Sequence, residues 1–136
     1  METQPFALTV YPHWAWAIID GRKRFENRTW STNYRGKLWI HASGVERPIP
    51  EDAAHLFAGR PLAFVSGAIV GSVELVDVCP SGSPCVAGDP WVSGPLVWVL
   101  ANPRQLRRPL RVSGNTRLWH PPLSLLKQAR YIRSQP

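Results

Sequence analysis

The eleven residues Ala68 to Val78, AIVGSVELVDV, narrow the possible folds more than any other stretch. Ile69, Val73 and Leu75 fall on one side of an extended chain, and Val70, Glu74, Val76 and Val78 fall on the other. Apolar side chains on both sides imply a strand covered by protein on both faces, and therefore a place inside a sheet.

Shorter elements flank it. Leu8 to Val10 reads as a first strand, and Pro12 opens a helix over His13 to Asp20, with Trp14, Ala17 and Ile18 at helical spacing and Gly21 as its left-handed cap. Phe25 to Trp30 reads as extended, Asn33 to Gly36 as a turn, and Lys37 to Ala42 as a strand with Leu38, Ile40 and Ala42 on one side. Glu51 to Phe57, behind Pro48 and Pro50, reads as a short helix. The Pro-, Gly- and Ser-rich stretch from Cys79 to Gly94 reads as a long loop. A strand at Leu96 to Leu100, a connection over Asn102 to Arg108, a further strand at Pro109 to Val112 and a terminal helix over Leu123 to Tyr131 complete the pattern. Many short strands with two or three short helices predict a mainly β, α+β domain built as a small barrel.

With 136 residues the chain fits one domain, residues 1–136. No apolar run approaches the roughly 18 residues of a membrane span, and METQPFALTV lacks the form of a secretory signal. A soluble, cytoplasmic protein is expected, with no membrane partner. Cys79 and Cys85 cannot build a disulfide framework, and two free thiols are the expectation. His13, His41, His55 and His120 have no paired spacing with each other or with the cysteines, so neither a metal site nor a cofactor is expected.

The net charge is +7, and thirteen of the sixteen basic residues are Arg, whose planar fork matches phosphate oxygens and stacks on bases. Seven tryptophans accompany them: Trp14, Trp16, Trp30, Trp39, Trp91, Trp98 and Trp119. Most belong in the core. Trp14, Trp30 and Trp91 sit beside the basic run Arg22–Lys23–Arg24 or in the long loop, where an exposed indole stacks an unpaired base.

Four blocks carry a resemblance: LTVYPHWAWAIIDGRKRFENRTW, YRGKLWIHAS, GAIVGSVELVDV and GPLVWVLANPRQL. In this order they resemble the ASCH domain of the PUA-like superfamily. Its hallmark, G-x-K-x-x-E-x-R, is met by Gly21, Lys23, Glu26 and Arg28. The resemblance implies a PUA-like β-barrel whose cleft is bounded by the first helix and the hallmark loop. It also implies RNA or a modified nucleoside as partner. Some small members resemble enzymes that hydrolyse the acyl amide of N4-acylcytidines, and a ribonuclease activity is associated with the family. The chain departs from the family at Pro12, His13 and Trp14, where Gln-Pro often precedes an aromatic residue.

As a hydrolase, the chain would use Lys23 as base, its pKa lowered by desolvation and by Arg22 and Arg24. Glu26 stands where the small amidohydrolases resemble a Thr nucleophile, so it would orient a water, with Arg28 holding the carboxylate or a substrate oxygen. A further acid is expected from Asp89 or Glu74. Glu74 is otherwise a structural acid pairing with Arg28, and His41 a structural histidine or a substrate contact. As a binding module, Arg22, Lys23, Arg24, Arg28, Arg35 and the C-terminal arginines would contact phosphates while Trp14, Trp30 or Trp91 stacks a base. Hydrolysis of an N4-acylated cytidine is the leading reading. Non-catalytic binding of single-stranded RNA, an ASCH-type ribonuclease and a docking domain for an acidic protein remain open. So does the oligomeric state, with a monomer favoured.

Overall fold

The computed structural model describes residues 4–45, 47–57, 64–86, 88–89 and 92–132. Its strands are β1 (Phe6–Val10), β2 (Phe25–Arg28), β3 (Gly36–Ala42), β4 (Ala68–Pro80), β5 (Leu96–Arg111) and β6 (Leu118–Trp119). They form one six-stranded sheet in the order β2-β5-β4-β3-β1-β6. Two short helices, α1 (Pro12–Ile19) and α2 (Leu123–Leu126), complete a mainly β, α+β architecture. β1 and β3 run parallel and the other neighbours antiparallel. β4 lies inside the sheet as expected, but cover on both faces reaches only as far as Val73, since Glu74, Val76 and Asp77 are exposed, Val76 by 51%.

Packed side chains cover much of both faces of the sheet. On one, Leu8, Val10, Leu38, Ile40, Val73, Leu75 and Trp98 pack against Ala15 and Ile18 of α1. On the other, Ala7, Trp39, Ile69, Leu106 and Leu110 pack under Leu125, Leu126, Ala129 and Tyr131 of the C-terminal segment. β3 is therefore buried on both sides from Leu38 to Ala42, and not on the Leu38, Ile40 and Ala42 side alone.

Several elements differ from their sequence reading. β5 is one strand of sixteen residues where two strands and a connection were expected. Its register against β4 slips between Ser72 and Glu74 and again between Ile69 and Gly71, and Pro103 and Pro109 fall in these irregularities, where a missing N–H breaks no ladder bond. α2 stops at Leu126 because the chain leaves helical geometry to pair Leu106 with Tyr131. The two-residue β6 went unforeseen, and Glu51–Phe57 is a 3₁₀ helix. The turn after β4 brings Cys79 and Cys85 together as a disulfide, so the expectation of two free thiols does not hold. Among the described residues, no helix is long and apolar enough to cross a membrane.

Candidate functional site

α1 ends in a cap that fixes the basic run. Gly21 takes φ +88°, Gly21 N–H donates to Ile18 O at 3.1 Å, and Arg22 N–H donates to Ala17 O at 3.1 Å. Lys23 N–H also reaches Ala17 O, at 3.0 Å, so the backbone under Lys23 is tied to the last helical turn. β2 then begins at Phe25, and its two-residue period puts Glu26 and Arg28 on one face.

The three hallmark side chains meet. Lys23, only 3% exposed, donates from Nζ to Phe25 O at 2.6 Å and lies 3.6 Å from Glu26 Oε1. Arg28 Nη2 lies 2.9 Å from Glu26 Oε2 and donates to Thr9 O at 3.1 Å. Arg28 thus pairs with Glu26, not Glu74. One buried carboxylate holds two cations, an arrangement that is costly to break from either side because each remaining charge is poorly solvated. Burial pushes the Lys23 ammonium below the ordinary lysine value, against the pull of Glu26 and Asp89, and Arg28 adds to the depression. The like charge that matters comes from Arg28. Arg22 instead pairs with Asp20 at 2.8 Å and lies over Trp16, while Arg24 is exposed over Phe25.

This triad forms one wall of a cavity of about 920 Å³. The end of β1, Trp14 of α1, Ser43, part of the 3₁₀ segment, Val92 with Ser93, and the loop Asn115–Arg117 supply the rest. Both half-buried tryptophans that reach it face a cation: Lys23 Nζ stands 5.1 Å from the Trp14 ring and the Arg117 guanidinium 5.0 Å from the Trp30 ring. Trp30 also meets Trp98 edge-on at 4.8 Å, and its carbonyl accepts from Trp98 Nε1 at 3.3 Å. Asn27 Oδ1 accepts from Ser93 N–H at 2.7 Å, which ties the long loop to β2.

Of the residues singled out from sequence, Trp14, Lys23, Glu26, Arg28 and Trp30 line this cavity. Asp89 acts on Lys23 electrostatically. Glu74 is exposed on β4, opposite Lys37, and does not line the cavity. Arg22, Arg24 and Arg35 lie outside it too, Arg35 being held by Thr32 O, Tyr34 O and Asp77. Trp91 lies outside the described residues.

His41 sits behind the cavity wall. Its Nε2 bonds Val112 O at 2.6 Å, and since a carbonyl only accepts, Nε2 carries the proton. Nδ1 then accepts from Thr9 Oγ1 at 3.2 Å, and Thr9 Oγ1 accepts from Trp119 Nε1 at 3.0 Å. A Cβ on Gly114 would come within 2.8 Å of the His41 ring, so only glycine lets this loop lie so close. His41 therefore acts as a support for the loop that carries Asn115, Thr116 and Arg117. Asn115 and Thr116 were not foreseen, and Arg117 only as one of the C-terminal arginines, because no local pattern links a loop so far along the chain to the hallmark.

The ASCH domain family model matches residues 8–89, more than half of the chain. The chain belongs to the ASCH family. Two relatives, human and mouse "Activating signal cointegrator 1", are each 31% identical over 128 residues. The match takes in 84% of this ASCH chain and 22% of either relative, so the chain spans about a fifth of their length. The crystal structure of ASCH from Zymomonas mobilis superposes with a TM-score of 0.58 at 14% identity, covering 93% of this chain and 96% of that one, and so shares the fold.

Two histidines make the stability of this ASCH fold depend on pH. Burial holds His13 and His41 below the ordinary histidine value, with Lys23 adding to the effect on His13 and the Val112 bond opposing it on His41. A base depressed in the folded state is protonated first in the unfolded chain, so stability is full above the unfolded value and falls as pH drops below it. Denaturant melts should show a loss between about pH 7 and about pH 5, and His13→Phe should flatten part of that slope. An unchanged slope in His13→Phe would assign it to other groups.

Proposed function

We propose that this ASCH chain, read as one domain over residues 1–136, holds an unpaired nucleotide in the cavity beside Lys23, Glu26 and Arg28. The observation that carries the reading is the pairing of each cavity-lining tryptophan with a cation: Trp14 with Lys23, and Trp30 with Arg117. A nucleotide offers the π-face of its base to an indole and its phosphate to a guanidinium, and a cavity of about 920 Å³ lies within the range of ordinary small-molecule sites. Glu26 holds Lys23 and Arg28 in place at the cavity wall. Titrating the four ribonucleoside monophosphates against tryptophan emission tests this. Saturable quenching by at least one at about millimolar concentration or below is expected. No saturable change with any of the four contradicts the reading.

Hydrolysis of an N4-acylated cytidine is the second reading, and the buried Lys23 with its depressed pKa favours it. Against it, Glu26 spends both oxygens on cations and occupies the position where the family's small amidohydrolases resemble a nucleophilic Thr. Release of cytidine from N4-acetylcytidine, lost in Lys23→Ala, would establish the enzyme. No turnover over hours at high protein concentration would leave the binding reading alone.

A further inference from the structure

All nine acidic residues of the chain lie at or before Asp89, and the stretch after it carries eight Arg and Lys with no Asp or Glu. The surplus positive charge of +7 therefore belongs to the C-terminal part of the chain, which lies beyond the residues the family model matches. Folding draws much of it together. Arg104, Arg107, Arg108 and Arg111 are exposed along the outer half of β5. The segment after α2 runs back along that half, with Arg107 N–H donating to Arg130 O at 2.7 Å and Ile132 N–H to Gln105 O at 2.8 Å. This return places the exposed Arg130 beside the same half-strand, and Arg130 donates to the carbonyl of the exposed Lys127 at 3.1 Å.

Among the described residues, no carboxylate pairs with this ribbon. The ion pairs of the described residues involve Arg22, Lys23, Arg28 and Arg35, all from earlier in the chain. Arg104 instead lies 3.7 Å from the ring centroid of Tyr131. The loop after β5 then runs from the ribbon to the cavity, ending at Arg117 over Trp30. Cations gathered without counter-charges repel one another and create a strong local potential that a polyanion relieves. A free nucleoside brings no phosphate and a mononucleotide only one, so neither matches such a ribbon.

Resting on the cavity reading above, we propose that the ligand is a nucleotide within a single-stranded RNA, with neighbouring phosphates lying along the β5 ribbon and past Arg117. The test is anisotropy of labelled RNA from a mononucleotide up to about a dozen nucleotides, at several salt concentrations. Affinity should rise at least about tenfold with length, with a log–log salt slope near −2, the value for about three neutralised phosphates. Arg107→Ala, Arg108→Ala and Lys127→Ala combined change side chains that donate no hydrogen bond within the described residues. The combination should remove most of the length dependence and spare mononucleotide binding, and the corresponding Arg→Lys changes should restore the slope. Equal affinity for long and short RNA, or an unchanged slope in the alanine variant, overturns the proposal. Binding to phosphatidylserine vesicles without binding to RNA overturns it as well. If long RNA binds through the ribbon while Trp30→Ala has no effect on any length, the cavity reading is the one that fails.

Discussion

Glu26→Gln is expected to lower the melting temperature by roughly 10 to 20 °C at neutral pH, the equivalent of about 3 to 5 kcal/mol for a domain of this size. Glu26 is 7% exposed and is the carboxylate facing both Lys23 and Arg28, so the amide leaves two cations in a poorly solvated site. The penalty should shrink with rising pH. Without its carboxylate Lys23 moves further below the ordinary lysine value. Stability of the variant then climbs as pH passes from that depressed value toward the unfolded one, where the unfolded chain still binds the proton that the folded chain has shed. Adding Lys23→Met to Glu26→Gln should recover part of the loss at neutral pH. A melting temperature within about 2 °C of wild type would mean that the pair contributes no more than a surface ion pair does.

Trp30→Ala is expected to weaken nucleotide binding about 10- to 100-fold, the usual cost of removing one stacking indole. The ring also packs on Trp98, so the truncation costs stability too, by up to about 3 kcal/mol. Trp30→Phe separates the two effects. It keeps an aromatic face against Trp98 and should bind within about threefold of wild type while melting close to it. Wild-type affinity in Trp30→Ala, measured well below its melting temperature, would remove Trp30 from the site.

The fold was legible wherever local pattern and tertiary burial agreed. The two-sided apolar run of β4, the proline-opened and glycine-capped α1 and the alternation in β3 each named their element. β5 was read as two pieces because Asn102, Pro103 and Pro109 are turn residues by composition, whereas in the sheet they occupy register slips, Asn102 at φ +51°. Only the partner strand reveals that the chain stays extended. The same contrast holds for the site. Gly21, Lys23, Glu26 and Arg28 are close in sequence, and a helix cap followed by a two-residue period brings them together. Glu74 looked like a second acid because it stands alone among valines, but its side of β4 is exposed at that point. The Asn115–Arg117 wall depends on Gly114 passing close over His41, a contact between residues distant in sequence that no spacing rule reports.

The nitrogen–proton signals of the tryptophan indoles give the most direct test of nucleotide binding in the cavity. On adding a nucleotide that binds, Trp14 and Trp30 should shift, while Trp39, which belongs to the core on the opposite face of the sheet, should stay in place. A shift confined to Trp39, or none at saturation, would contradict it.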